Sequence, residues 1–244
     1  MAVRVTVAVP LFGVDVPVAS RCNRWLAGFG ESTDWDWDVA FVQGGWVSEA
    51  KWDAATGCRL AQGLRVIRAT RPGRGRAVKD IWMSSGSEVL ACVDSGLRTN
   101  VARLRTLLRP LREGEADLVV GARVAAPPSG FREWMLQGRG WLAEAMTRWA
   151  TGSRLHDHRS GVVALTAPAV RGLVPHVRST RDLFEMELLL LAQRLGWRIL
   201  EIPLIPSAFS TVRPGVLREF ARLLRDNGVH RRRREGGGGR RIGG

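Results

Sequence analysis

Glu88-Val-Leu-Ala-Cys-Val-Asp-Ser-Gly-Leu-Arg-Thr-Asn100 decides how the rest of the chain reads. Its core, Val89-Leu-Ala-Cys-Val93, is a short unbroken apolar run, the pattern of a strand buried on both faces. The run stops at Asp94. A carboxylate that ends a buried parallel strand stands at the mouth of the sheet, where open α/β folds bind their ligands. Ser95 and Gly96 then turn the chain, and glycine there permits angles or a close approach that a side chain forbids. Upstream, Arg71-Pro-Gly-Arg-Gly-Arg-Ala-Val-Lys79 is a glycine-spaced basic loop entering a helix predicted over 77–84. Exposed N–H groups at that helix start suit a diphosphate, with Arg74 and Lys79 among the cations and Gly73 and Gly75 letting the backbone close in. Singly, an aspartate at a strand end is an ordinary turn former and a basic glycine loop an ordinary loop. Their order and proximity are what make them specific.

Strand and helix patterns alternate on either side of this stretch. Val3–Val9 is an apolar strand ended by Pro10, and a helix is predicted over 17–25. Asp34-Trp-Asp-Trp-Asp38 leads into a second strand, Val39–Val42, which Gln43-Gly-Gly45 breaks; the two tryptophans read as covering an edge. Leu64–Ile67 is a third strand. Beyond the central one, 101–111 sets Leu104, Leu107, Leu108 and Leu111 on one helical face. Leu118–Val120 is a strand ending in Gly121-Ala-Arg123. This alternation predicts an α/β fold, a mostly parallel, Rossmann-like central sheet flanked by helices. Further on come a loop at 125–130, helices rich in tryptophan and arginine over 131–150, and His156-Asp-His-Arg-Ser-Gly161 before a strand. A helix over 182–195, stopped by Gly196, and a strand over 198–203 follow. Residues 214–227 read as an amphipathic helix opening at Pro214. The Arg/Gly run 230–244 is low in complexity and predicted to be disordered.

At 244 residues the chain suits one domain with elaborations. No apolar run is long enough to span a bilayer, and the N-terminus lacks a signal-peptide pattern. Cys22, Cys58 and Cys92 are scattered and odd in number, which favours a reducing, cytoplasmic compartment over a disulfide framework or a structural zinc site. The net charge of +14 favours anionic partners: nucleotide diphosphates, lipid phosphates, membrane surfaces or nucleic acid. Arginine, the better bidentate phosphate ligand, supplies most of it. An arginine-rich proteome would give scattered arginines the same look, and both readings stand.

The order of these pieces resembles the family 2 glycosyltransferases of the GT-A fold, in particular the dolichyl-phosphate mannose synthase-like ones. Gly73-Arg-Gly-Arg-Ala-Val-Lys79 is similar to that family's Gly-Lys-Gly-x-Ala loop, and 89–97 to its strand bearing Asp-x-Asp. Asp117-Leu-Val-Val-Gly-Ala-Arg123 is similar to Asp-x-Val-x-Gly-Ser-Arg. Asp157-His-Arg-Ser-Gly161, Phe184-Glu-Met-Glu-Leu188 and Trp197-Arg-Ile-Leu-Glu-Ile-Pro203 match Asp-x-x-Ser-Gly, Phe-Asp-x-Glu-Leu and Arg-Ile-x-Glu-Val-Pro in succession. The resemblance covers 3–206. It implies a nucleotide-sugar-binding, catalytic GT-A domain over 1–210, with the amphipathic helix at 211–229 and the basic tail at 230–244 appended.

What the resemblance further implies is sugar transfer from a nucleotide-diphosphate sugar, usually with inversion and with Mg2+ or Mn2+ bound. Pro10, Gln43, Gly73, Arg74, Gly75, Lys79, Asp94, Ser95, Arg98, Arg123, Arg159 and Ser160 then stand where donor or acceptor phosphate would be held. Asp157 is the leading candidate for the base that deprotonates the acceptor, with Glu185 and Glu187 as rivals. Asp94 would hold the metal. His156 and His158, spaced i, i+2, are further candidate ligands.

The departures matter. The second carboxylate of Asp-x-Asp is Gly96 here, the glutamine two residues later is Arg98, and the arginine after Ser-Gly-Phe is Val163. A fixed cation at Arg98 would replace part or all of the metal's charge. Acceptors consistent with the pattern are a polyprenyl or other lipid phosphate, reached by peripheral contact at the inner membrane face through 131–150, 214–227 and the tail, or a small biosynthetic acceptor. Two rival classes are a degenerate GT-A protein that binds nucleotide or a partner without turnover and, ranked below it, a basic nucleic-acid-binding protein, which would need aromatic and basic residues interleaved on strands.

Overall fold

The computed structural model describes residues 2–11, 34–43, 64–68, 73–93, 101–124, 130–131, 135, 138, 144–145, 147–149, 151–158 and 160–206. Within them lies a seven-stranded sheet. Its strands are β1 (Val3–Leu11), β2 (Trp35–Gln43), β3 (Leu64–Arg68), β4 (Val89–Val93), β5 (Leu118–Val124), β6 (Val162–Thr166) and β7 (Ile199–Pro206). They lie in the order β3-β2-β1-β4-β6-β5-β7. β6 runs antiparallel to both neighbours, and every other pairing is parallel. The predicted mostly parallel α/β sheet is therefore present, with one reversed strand that the alternation of patterns did not announce.

Four helices flank it: α1 (Arg74–Ser84), α2 (Val101–Arg112), α3 (Ala167–Leu173) and α4 (Phe184–Arg194). Side chains of a strand alternate between faces, and β4 shows what this does. Val89, Ala91 and Val93 join a core with Leu104, Leu107, Leu108 and Leu111 of α2. Leu90 and Cys92 point the other way, into a core with Val78, Ile81 and Trp82 of α1, Val170 of α3 and Leu188 of α4. All five β4 residues are buried, which is why the run reads as continuously apolar.

Several predicted boundaries change: β1 is not ended by Pro10 but runs through it to Leu11, and β5 and β7 extend to Val124 and Pro206. α1 starts at Arg74 rather than Ala77, so part of the supposed loop is the first helical turn. β2 includes Trp35 and Trp37, with Trp35 in the core and Arg112 stacked over its ring at 5.7 Å. Helix α3 was not anticipated, although its start is legible: Thr166 accepts a hydrogen bond from the Ala169 N–H at 3.4 Å, and proline follows in the first turn. In 131–151 every described residue up to Trp149, and Thr151, is helical. The predicted helices over 17–25 and 214–227 and the tail at 230–244 lie outside the described residues.

Candidate active site

The register of the sheet brings the decisive motifs to one edge. β1, β2, β3 and β4 are parallel, so their carboxyl ends share that edge. Pro10 pairs with Val42 and Leu11 with Gln43 there. Val93, the residue before Asp94, pairs with Val162, the residue after Gly161. β5 also runs antiparallel to β6, hence parallel to β4, and carries Arg123, opposite Leu204, toward the same edge. Strands ending together at a crossover are where this class of sheet binds ligands. Asp94, Ser95, Arg98 and Arg159 lie outside the described residues.

The basic segment is built against the stretch that precedes α4. Gly73 has φ 133°, a region closed to ordinary side chains, and a Cβ there would fall 2.4 Å from the Thr180 carbonyl oxygen. At Gly75 a Cβ would fall 2.4 Å from Cβ of Phe184. The Arg76 N–H donates to Thr180 O at 3.0 Å. Lys79 Nζ donates to the Val177 carbonyl. Burial lowers the Lys79 pKa, with Glu187 opposing that shift. These two glycines and Lys79 thus serve contact between two parts of the chain, where the sequence suggested contact with a diphosphate.

Glu187 faces the same stretch. Its carboxylate accepts the N–H of Arg178 at 3.0 Å and of Ser179 at 2.6 Å. Glu185, one of the two acids in the first turn of α4, is buried, and its Oε1 lies 2.6 Å from Arg74 Nη2. The Cys92 thiol stands 3.9 Å from both groups. Because Cys92 is two residues before Asp94, this ion pair flanks the end of β4.

The His156–Gly161 segment is held from two sides. Glu201 of β7 accepts the backbone N–H of His156, at 2.9 and 3.1 Å to its two oxygens, and that of Asp157 at 3.0 Å. It also lies 3.0 Å from His156 Nδ1. His158 is wholly buried, with Nδ1 2.9 Å from Glu144 and Nε2 2.7 Å from Ser153 Oγ. Both ring nitrogens are engaged, which removes His158 as a metal ligand; His156 is exposed and turned to Glu201. Asp157 is buried between them. Ser160 closes its own turn, its hydroxyl donating to Val162 O at 2.9 Å and accepting the Val162 N–H at 3.1 Å, with Gly161 at φ 78°. Among the described residues no group of three or more His, Cys, Asp and Glu side chains is arranged to hold a metal ion.

Glu144, Ser153 and Gln193 were not singled out from sequence. No local signal marks Glu144, whereas Glu201 stood inside a quoted motif. Asp117 and Arg198, the acid and the base of two quoted motifs, turn out to pair with each other at 2.8 and 3.0 Å. This lowers the Asp117 pKa through the Arg198 hydrogen bond.

Both comparisons with known proteins fall among glycosyltransferases, as the motif order implied. Over 138 residues, 54% of the chain, it is 30% identical to glycosyltransferase AglD of Haloferax volcanii; the match spans 21% of that protein's length. Among solved structures it is similar to glucosyl-3-phosphoglycerate synthase from Mycobacterium tuberculosis in complex with phosphoglyceric acid, at 20% identity and a TM-score of 0.63, over 88% of this chain and 75% of the synthase. The same synthase in complex with Mn2+, UDP-glucose and phosphoglyceric acid gives 20% identity and a TM-score of 0.61, over 88% and 74%. What is shared with the synthase is the GT-A fold. No protein-family model matches the chain, and neither comparison singles out dolichyl-phosphate mannose synthase.

Proposed function

We propose that this chain carries a glycosyltransferase site that moves a sugar from a nucleotide-diphosphate sugar to an acceptor hydroxyl or phosphate, with inversion. The observation that carries the reading is the Val93–Val162 pairing. It sets the end of the strand that precedes Asp94 beside the start of the strand that follows the loop bearing Asp157, which supports a reading in which the two carboxylates serve one site. In this reading Asp157 takes the proton of an acceptor hydroxyl, whereas an acceptor phosphate is already ionised and needs alignment alone; the acceptor oxygen attacks the anomeric carbon, and the bond to the diphosphate breaks. Charge building on the diphosphate is met by cations, Arg98 after Asp94 and Arg74 beside Cys92. The related AglD and the use of UDP-glucose by the similarly folded synthase support the donor class.

The synthase binds Mn2+. Asp94, the acid the sequence offers for such an ion, lies outside the described residues, and among the described ones no group of three or more His, Cys, Asp and Glu is arranged to hold it. With one acid in place of the Asp-x-Asp pair, Arg98 would supply part or all of the ion's charge. For the acceptor, a lipid phosphate is favoured by the exposed Phe131, Met135 and Trp149, which offer apolar surface for peripheral membrane contact. Among the described residues no helix is long and apolar enough to cross a membrane. A small phosphorylated acceptor is the alternative, supported by the phosphoglyceric acid in the synthase complexes.

A second reading has its own observation. Arg74 is tied to Glu185, and the glycine loop is closed by the chain's own residues 180–184. With Arg74 neutralised in this way, less charge is left to meet a departing diphosphate, which suits a protein that binds nucleotide or a partner without turnover. A thermal-shift panel of nucleotide diphosphates and nucleotide sugars, with and without Mg2+ or Mn2+, separates the readings when followed by a transfer assay. Stabilisation by one nucleotide sugar, with transfer abolished in Asp94→Ala, is expected. Stabilisation without transfer to any acceptor supports the second reading.

A further inference from the structure

We infer that Glu201 is the positioning residue for Asp157, acting with Glu144 to fix the loop that presents the base. The inference rests on the glycosyltransferase reading above, with a hydroxyl as the attacking group, and deepens it.

Three successive backbone N–H groups, those of His156, Asp157 and His158, all point at carboxylates. The first two donate to Glu201, at distances between 2.9 and 3.1 Å. The third lies 3.4 Å from Glu144, which also holds the His158 ring at 2.9 Å. Glu201 stands on β7 opposite Val120 of β5, in the part of that pairing that precedes its register shift. Glu144 stands on the helical stretch across the loop. The far side of the His158 ring meets Ser153, which in turn lies 2.8 Å from Gln193 on α4. A segment without secondary structure of its own is thus pinned to three elements.

Stability alone does not call for this arrangement. Glu144 and Asp157 are buried, and removing carboxylates from water costs several kcal/mol each, which apolar packing would avoid. What a fully bonded polar network supplies is a single geometry. A general base must lie within hydrogen-bond reach of the proton it takes, and a displacement of about 1 Å can cost roughly a hundredfold in rate. Carboxylates suit the task because each offers about four acceptor sites and no donor. Glu201 uses one oxygen for the N–H of Asp157 and both for that of His156. A glutamine would retain one acceptor oxygen and present its NH2 to the other N–H.

The test is made on the full chain with the nucleotide sugar identified by thermal shift and its acceptor. For Glu201→Ala, kcat per donor-binding site, counted by calorimetric titration, is expected to fall about thirty- to a hundredfold, with donor KM unchanged within about twofold. Glu201→Gln is expected to fall between, and Asp157→Asn to abolish transfer. Amide exchange in a peptide covering 153–161 should accelerate in Glu201→Ala, while peptides from β4 and β1 stay protected. The inference is overturned if Glu201→Ala keeps its kcat within twofold, if activity is lost only in proportion to donor-binding sites, or if exchange at 153–161 is unchanged. Failure of the parent reading looks different: the wild-type chain then transfers sugar to no acceptor, and the assigned role falls with it even if exchange responds.

Discussion

Gly75→Ala is the substitution on which the two accounts of the basic loop disagree most. If glycine is there to admit a diphosphate, a methyl group should leave stability alone and weaken donor binding. The structure gives a different answer. Gly75 is a buried residue in the first turn of α1, where alanine would ordinarily favour the helix by about 1 kcal/mol. Its Cβ, however, would lie 2.4 Å from Cβ and 2.9 Å from Cγ of Phe184, and 3.0 Å from the Thr180 carbonyl carbon. Carbon atoms rest at about 3.5–4.0 Å, so α1 and the start of α4 must part by roughly 1 Å. Phe184 is buried, with its ring 5.8 Å from that of Trp82, and cannot retreat cheaply. Overpacking of this kind costs about 1–3 kcal/mol; at about 2 kcal/mol against the helix gain it leaves a net loss of about 1 kcal/mol. Gly86→Ala is the control, since a Cβ there meets nothing within 4 Å; it should be neutral or stabilising by up to about 1 kcal/mol. Urea unfolding of both variants at fixed ionic strength reads the sign. Equal midpoints for Gly75→Ala and wild type would refute the packing account.

Arg74→Met strips the partner from buried Glu185 and should cost about 3–5 kcal/mol, whereas Arg74→Met combined with Glu185→Leu should recover much of that loss, a pattern that a double-mutant cycle by denaturant unfolding checks. His158→Leu takes the ring from between Glu144 and Ser153, which keep their other partners, and a loss of about 1–3 kcal/mol is expected; Mn2+ titration monitored by Tm should be the same before and after the change, since both ring nitrogens are already engaged. The Asp117 carboxyl titrates below its ordinary value of 3.8 because Arg198 bonds it, so its contribution to stability is full above about pH 4 and is lost as acid protonates it in the folded state. Asp117→Asn should therefore lower Tm at pH 7 and lose that difference near pH 2, read by thermal melts across the range.

Much of the fold was legible because each central element carries its own pattern. The apolar run 89–93 reads as a strand buried on both faces and is one, and Leu104, Leu107, Leu108 and Leu111 read as one face of a helix and pack as one. The reversed direction of β6 was not legible, since strand polarity depends on long-range pairing that leaves no local mark. The site was legible as a set of positions and less so as a set of contacts. Gly73, Gly75 and Lys79 carry the composition of an anion loop, yet they meet a backbone stretch a hundred residues later. No periodicity encodes that neighbour. An i, i+2 pair on an extended chain would share a face, yet His158 is buried while His156 is exposed, because the segment is not a strand, and the carboxylate that satisfies His158 comes from a helix whose pattern says nothing of an inward-facing acid.

Those contacts give α4 a part that no single motif suggests. From Glu185 to Gln193 the helix rises about 12 Å. At one end Glu185 holds Arg74 beside the end of β4; one residue pair further on, Glu187 fixes the backbone at 178–179; near the other end Gln193 reaches Ser153 and, through it, His158. The apolar face of the helix, including Leu188, Leu189 and Ala192, is sealed into the core beneath. A helix so packed moves as a body or not at all. Arg74 and the loop that bears Asp157 are consequently referenced to one rigid piece. In the proposed transfer that arrangement would serve the displacement at the sugar carbon, whose two oxygens, one arriving and one leaving, must be aligned at the same moment.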